Sequence, residues 1–238
     1  MARTLLIRGM LVGIIAGLVV FAFARLIGEP TVERAIAFEA KLDQSKGEAP
    51  EPEVVTRRVQ RGVGLLIGIL IYGTAIGGLF GLVFAYANGR LGNLRPRALS
   101  ALLAGMGFVA IVLVPTLKYP ANPPSVGNPE TIGMRTAAFF LAIAFSIAAM
   151  VLVVQIGRRA SLRYGAWNAS LLAAGIYLTA VILVFRLLPA IDEVPAGFPA
   201  TVMWHFRIVS LGIQGVMWAT IGLLFGWLTE GMAHRRQD

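Results

Sequence analysis

The sequence predicts an all-α integral membrane protein, a single domain over residues 1–238 built as a bundle of about six transmembrane helices. Of the 238 residues, 57% are hydrophobic and 14% are charged, and the mean hydropathy is +0.76. Soluble domains average roughly 45–50% apolar and 25% charged residues. The charged residues, 21 basic and 12 acidic, are too few to cover a soluble enzyme. Six largely uncharged runs are long enough to cross a bilayer: 5–27, 62–87, 99–117, 136–156, 166–188 and 208–228.

The first run is predicted to remain part of the bundle. Ala22-Phe23-Ala24 has the small-x-small form of a signal-peptide cleavage site. The apolar stretch is long for a signal peptide, however, and Gly9, Gly13 and Gly17 recur at four-residue spacing. That spacing is typical of close helix packing within a membrane, so a retained first span is favoured.

The first outward loop is predicted to begin with a short interfacial helix. Pro30 suits a helix start, and Glu29 and Glu33 would lie on one face of that helix. These two carboxylates could collect a cation, or each could pair with a basic neighbour. Residues 43–61 are rich in acids and prolines and are predicted to form a flexible acidic linker.

The positions of Lys and Arg predict the orientation. With six spans, both termini share one side with the second and fourth loops, and that side carries a net charge of about +8 whereas the opposite side carries about −1. The positive side is predicted to be cytoplasmic. The formal net charge of +9 therefore reflects basic residues at the cytoplasmic face, where they are expected to contact membrane lipid. It predicts no nucleic-acid partner.

The third loop, between the third and fourth runs, contains five prolines within residues 115–131. Such a loop is stiff although it lacks regular structure. Tyr119 and Asn122, with the free backbone carbonyls, could line a rigid lid or pore. A plain structural cap is the alternative.

The fifth loop carries Asp192, Glu193 and His205, which are ligand types that Co²⁺, Ni²⁺ or Zn²⁺ accept. The two acids could instead neutralise the nearby Arg186 or Arg207. His205 could instead be a hydrogen-bonded interfacial histidine. The spacing matches no recognised metal motif.

In the sixth run, Ser210 and Gln214 lie four residues apart and would aim two polar groups into the bundle. Part of a transport pathway is one interpretation, and hydrogen bonding between helices is the other. The sequence has no phosphate-binding loop, no H-E-x-x-H, no G-x-S-x-G and no cysteine. It is therefore not expected to be an enzyme or to hold a resident cofactor.

Three segments of the chain carry a family resemblance. The first is Gly28-Glu29-Pro30 with Glu33, Ala35 and Ile36, and the second is Leu117-Lys118-Tyr119-Pro120-Ala121-Asn122-Pro123-Pro124 followed by Arg135-Thr136. The third is Phe198-Pro199-Ala200 leading to Trp204, Phe206, Arg207, Ser210, Leu211 and Gln214. Taken together, these segments resemble the CbtA family of cobalt transporter subunits, and the resemblance extends along the whole chain.

The resemblance implies a bacterial inner-membrane protein that takes up cobalt for cobalamin synthesis with CbtB, a small one-span partner that carries histidines. Similar members often have histidines in the first outward loop, whereas residues 43–53 here contain none. The leading hypothesis is a subunit of a cobalt, or possibly nickel, permease with a divalent cation as its cargo. A non-transporting scaffold that stabilises the partner is the alternative. The expected ion-contacting residues of an outer vestibule are Glu29, Glu33, Asp192, Glu193 and His205, leading to Ser210 and Gln214.

Overall fold

The computed structural model describes residues 2–46, 55–124 and 126–234, and within these ranges the chain is helical without strands. The helices are α1 (Ala2–Phe23), α2 (Glu29–Lys46), α3 (Arg57–Val59), α4 (Leu65–Ala87), α5 (Pro96–Gly107), α6 (Val114–Lys118), α7 (Ile132–Leu187) and α8 (Ala200–His234). Wider π-helical turns, Ala24–Gly28, Gln60–Gly64 and Phe108–Leu113, join successive helices, and the 3₁₀ turn Pro129–Thr131 precedes α7. The all-α prediction is confirmed.

Over the described part of the chain, five helical stretches are long and apolar enough to cross a membrane. The prediction of six separate helices is therefore not confirmed. The five stretches are Ala2–Lys41, Arg57–Ala87, Pro96–Lys118, Pro129–Leu187 and Ala200–Met232.

The difference arises in α7, which contains both the fourth and the fifth apolar runs. At 1.5 Å per residue its 56 residues would extend for about 84 Å if they were straight. The hydroxyls of Ser146 and Tyr177 nevertheless lie 2.7 Å apart, although 31 residues separate them. The chain therefore folds back on itself at Gly165, whose torsion angles (φ 75°, ψ 162°) are not helical. Hence α7 is a hairpin of two helical arms.

The predicted interfacial helix is not a separate element, because α2 continues α1 through the π-helical turn Ala24–Gly28. The reason lies at Pro30, which has no N–H to give to the carbonyl four residues earlier and whose ring would clash there. The wider turn accommodates the proline without ending the helix. Pro115 follows the turn Phe108–Leu113 in the same way.

The predicted linker 43–61 is only partly visible. Residues 47–54 lie outside the described residues. Of the remainder, residues 43–46 belong to α2, and residues 57–61 form α3 and the start of the next π-helical turn.

The chain forms two compact units. Unit 1 comprises residues 1–105, 122–125 and 196–238, and unit 2 comprises residues 106–121 and 126–195.

In unit 1, α1 and α4 pack in antiparallel orientation with their backbones in contact. A Cβ atom added to Gly9 would lie 2.0 Å from the carbonyl oxygen of Gly77, and one added to Gly13 would lie 2.0 Å from that of Gly73. No other residue type fits so close an approach, which confirms the packing expected from the glycine spacing. Phe225 of α8 completes this core by packing edge-on against Phe80 and Phe84, two further residues of α4.

One end of unit 1 carries the N-terminus of α1, the start of α5 and the last turns of α8. There the Arg8 guanidinium donates to the Thr229 hydroxyl at 2.9 Å, and Arg97 pairs with Glu230 at 3.7 Å. The other end of unit 1, which we call its loop end, carries the start of α2, α3 and the start of α8. Unit 2 is centred on Val114, Val153 and Tyr177.

Candidate functional site

The loop end of unit 1 contains a buried carboxylate, that of Glu29, which is only 7% exposed. It lies at the start of α2, just after the π-helical turn, and the Thr31 hydroxyl bonds to the Gly28 carbonyl beside it. The guanidinium of Arg57 in α3 binds the Glu29 carboxylate directly. A buried carboxylate without such a partner would be strongly unfavourable. Glu29 is therefore part of an ion pair, as the alternative interpretation of the sequence allowed.

A second ion pair lies one helical turn further along α2. Arg61 Nη1 is 2.9 Å from a carboxylate oxygen of Glu33, and both side chains are substantially exposed. Because the acids and the arginines are each spaced four residues apart, the pairs form two successive rungs. We call Glu29, Glu33, Arg57 and Arg61 the Glu–Arg ladder.

His205 lies near the start of α8 with an exposed side chain. Two residues later, Arg207 donates from Nη2 to Oδ1 of Asn122 at 3.1 Å. The predicted lid residue Asn122 thus holds an arginine rather than presenting a free amide oxygen. Nearby, Phe198 packs edge-on against Phe38 of α2, with ring centroids 5.0 Å apart.

The two polar residues predicted inside the sixth run have protein partners. The Tyr72 hydroxyl of α4 donates to Oε1 of Gln214 at 3.4 Å. The Ser210 hydroxyl donates to the Phe206 carbonyl of its own helix at 2.8 Å. This arrangement supports hydrogen bonding within the helix bundle, which was the alternative to a pathway.

In unit 2, Glu193 is bound at the end of the proline-rich third loop. Its carboxylate accepts from the Thr131 hydroxyl and from the Asn128 backbone N–H, the latter at 2.8 Å, and lies 3.4 Å from Arg135. The Thr131 and Asn128 hydrogen bonds, assisted by the Arg135 charge, lower the pKa of the Glu193 carboxyl below its ordinary value. The arginine that Glu193 binds is neither of the two considered from the sequence.

The other loop residues of unit 2 also serve the hairpin of α7. Tyr119 donates its hydroxyl to the Pro189 carbonyl at 2.8 Å, and Lys118 donates to the Phe185 carbonyl at 2.9 Å. A cation at the C-terminal end of a helix satisfies carbonyls that lack helical partners. Asp192, next to Glu193, is exposed.

The structure does not gather the predicted ligands into a formed metal centre. Nowhere in the described ranges do three or more His, Asp or Glu side chains lie together in a way that could hold a metal ion. Glu29, Glu33 and His205 belong to unit 1, whereas Asp192 and Glu193 belong to unit 2.

The residues that the sequence interpretation overlooked are the arginines that bind these acids. Arg57 and Arg61 entered it only as part of a charge count. The available signal was their four-residue spacing, which equals that of Glu29 and Glu33. For Arg135, which lies 58 residues before Glu193, the sequence offers no comparable signal.

The chain matches a known protein family. The model of the CbtA family, described as "Probable cobalt transporter subunit (CbtA)", matches residues 2–230. No curated protein and no solved structure matches the chain.

Proposed function

The chain belongs to the CbtA family of probable cobalt transporter subunits, and from this premise we propose that it is the membrane-embedded subunit of a cobalt uptake transporter. The family match over nearly the whole chain is the observation that carries the proposal. The long apolar helices are those of a multi-pass membrane protein, the setting that such a subunit requires.

We propose that the cation enters from the outer face and that both termini lie in the cytoplasm of a bacterial inner membrane. The positive-inside rule supports this orientation. In addition, Arg8 and Arg97 lie at the same end of unit 1, opposite the acids of the loop end. A divalent cation that moves inward across a membrane potential of about 100 mV releases roughly 4.6 kcal/mol of free energy. Import therefore needs no nucleotide site on this chain.

Within this proposal, Glu29, Glu33 and His205 are the candidate ion contacts of unit 1, and Asp192 and Glu193 are those of unit 2. Carboxylate oxygen and imidazole nitrogen suit Co²⁺ and also Ni²⁺, so the same residues allow nickel as a second cargo. Tyr119, Asn122, Ser210 and Gln214 are proposed as residues of the lid or pathway. A family described as a transporter subunit implies a partner, and we propose a small one-span protein of the CbtB type.

Uptake of radioactive cobalt by cells that express the chain, with and without the partner, tests this function. We expect uptake above that of empty cells, and at least a tenfold loss when Asp192, Glu193 and His205 are replaced by alanine together. A matched triple variant, Glu39→Ala, Glu130→Ala and His234→Ala, should keep uptake near the level of the unsubstituted protein. If both triple variants transport equally, the ligand assignment is wrong.

A scaffold that stabilises its partner without transporting is a second candidate. This function is favoured because Glu29, Glu33 and Glu193 each form an ion pair with an arginine instead of presenting a free carboxylate to a cation. The two functions differ in what the triple alanine variant does. A scaffold would keep the partner abundant and leave uptake unchanged, whereas a permease subunit would keep the partner but lose uptake.

A further inference from the structure

The segment 57–61 carries both arginines of the Glu–Arg ladder but takes no part in the core of unit 1. No residue of α3 or of the π-helical turn that follows is buried, and Val59 is 48% exposed. At Gly62 the backbone leaves helical geometry (φ −109°, ψ −106°), which separates the segment from α4. What attaches segment 57–61 to α2 is therefore electrostatic rather than apolar.

The acidic side of the ladder is anchored differently. Gly28, Thr31 and Ala35 are buried around Glu29, and α2 continues directly from α1. If the two sides of the ladder separate, the side that moves is the one without buried residues. The movable partner is accordingly the segment with the arginines.

We propose that segment 57–61 is a latch on the cation site: Arg57 and Arg61 occupy the carboxylates of Glu29 and Glu33 as tethered cations, and a divalent cation binds by displacing them. This inference rests on the proposed function, since it concerns two of the acids proposed there as ion contacts. Arg57 and Arg61 would thus set the affinity of the site without touching the ion.

The chemistry of the four side chains supports competition. A guanidinium stays charged at every physiological pH and occupies a carboxylate through directed hydrogen bonds, as a bound cation would. Two carboxylates one helical turn apart can share one divalent ion, but neither is available while an arginine holds it. Displacement swings segment 57–61 about Gly62 and leaves α2 in place.

The first test measures the latch without any metal. Hydrogen exchange of the backbone amides of residues 57–61 is compared between the detergent-purified protein and the variant Glu29→Gln with Glu33→Gln. We expect exchange at least tenfold faster in this variant, because the attachment to α2 is lost. Glu39→Gln, on the same helix but outside the ladder, should leave the rate unchanged. Equal rates in all three proteins would overturn the latch.

The second test measures displacement with CoCl₂ as the probe. Binding to the purified variant Arg57→Gln with Arg61→Gln should be at least tenfold tighter than to the unsubstituted protein. Arg57→Lys with Arg61→Lys, which keeps two tethered cations, should bind as weakly as the unsubstituted protein. Arg34→Gln with Arg58→Gln removes the same charge outside the ladder and serves as the control. If the ladder variant Arg57→Gln with Arg61→Gln and the control variant Arg34→Gln with Arg58→Gln bind cobalt equally, the proposal that cobalt displaces the two arginines is wrong.

These outcomes are separable from those of the uptake assay. If cells take up cobalt but the purified ladder variants behave like their controls, the proposed function stands and the latch is wrong. If cells show no uptake but the ladder variants show faster exchange and tighter cobalt binding, the latch stands and the transport function is wrong.

Discussion

Glu193 holds the end of the third loop against the fifth loop of the chain. It accepts hydrogen bonds from Thr131 and Asn128 and lies close to Arg135. The favourable partners all prefer the ionised carboxylate, so protonation weakens the whole contact. A residue chosen from the sequence as a metal ligand therefore has a definite structural role as well.

The lowered pKa of Glu193 predicts how stability depends on pH. Above the ordinary value of 4.5 the carboxylate is ionised in both folded and unfolded chains, and its contribution to stability is fully present. As the pH falls through the lowered pKa of the folded state, that contribution is lost. We expect the difference in Tm between the unsubstituted protein and Glu193→Gln to be largest near pH 7 and to shrink on acidification below pH 4.5.

Thermal unfolding in detergent across this pH range measures the difference. Glu130→Gln, a substitution at a neighbouring exposed acid, is the control and should show a smaller change with pH. A gap between the unsubstituted protein and Glu193→Gln that stays constant from pH 7 down to well below pH 4.5 would contradict the assigned role of the charge.

At the scale of elements, the contact between α1 and α4 depends on the absence of side chains at a few positions. A Cβ atom at Gly77 would lie 2.2 Å from the Gly9 carbonyl oxygen and 2.8 Å from the Gly13 Cα atom. Neither atom belongs to a flexible side chain, so the helices themselves would have to move apart. The small residues thus determine the spacing of the two helices.

We therefore expect Gly77→Ala to destabilise the protein by about 1–3 kcal/mol, the usual cost of overpacking. Gly68→Ala on the same helix is the matched control, because a Cβ atom there has nothing within 4 Å. Thermal unfolding in detergent compares the two substitutions. Equal stability of both variants would mean that α1 and α4 do not approach as closely as described.

The hairpin of α7 turns at a single residue. Gly165 has a φ of 75° and a ψ of 162°, a combination that residues with a side chain rarely adopt. A Cβ atom there would meet nothing within 4 Å, so a substitution acts through the backbone alone.

Gly165→Ala is accordingly expected to cost about 1–3 kcal/mol. Gly175→Ala, in the second arm of the same hairpin and also open to an added Cβ, should cost nothing and can even stabilise the helix. Unfolding curves of the two variants measure the contrast. If Gly165→Ala proves as stable as Gly175→Ala, the turn lies elsewhere in the chain.

At the scale of the whole molecule, features that depend on solvent could be predicted from the sequence and features that depend on tertiary register could not. Apolar runs indicate burial in lipid, and four-residue glycine spacing indicates close contact between helices. Both patterns agree with the structure, which has long apolar helices and a close contact between α1 and α4. The continuity of α1 with α2 was missed because Pro30 normally marks a helix start, and here a π-helical turn absorbs it. The pairing of Arg135 with Glu193 depends on how distant segments fold together, which no local pattern contains.

The number of times that α7 crosses the membrane determines the topology of the whole chain. If α7 crosses once, the two termini lie on opposite sides of the membrane. If α7 is a hairpin of two membrane-crossing arms, they lie on the same side. The chain has no cysteine, so single cysteines can be introduced and labelled with a membrane-impermeant maleimide in intact cells. We expect labelling at Ala37→Cys, Glu130→Cys and Ala196→Cys, and labelling at Gly89→Cys and Gly231→Cys only after the membrane is permeabilised. Labelling of Gly231→Cys from outside, with Gly89→Cys protected, would show that α7 crosses once and would reverse the proposed position of the C-terminus.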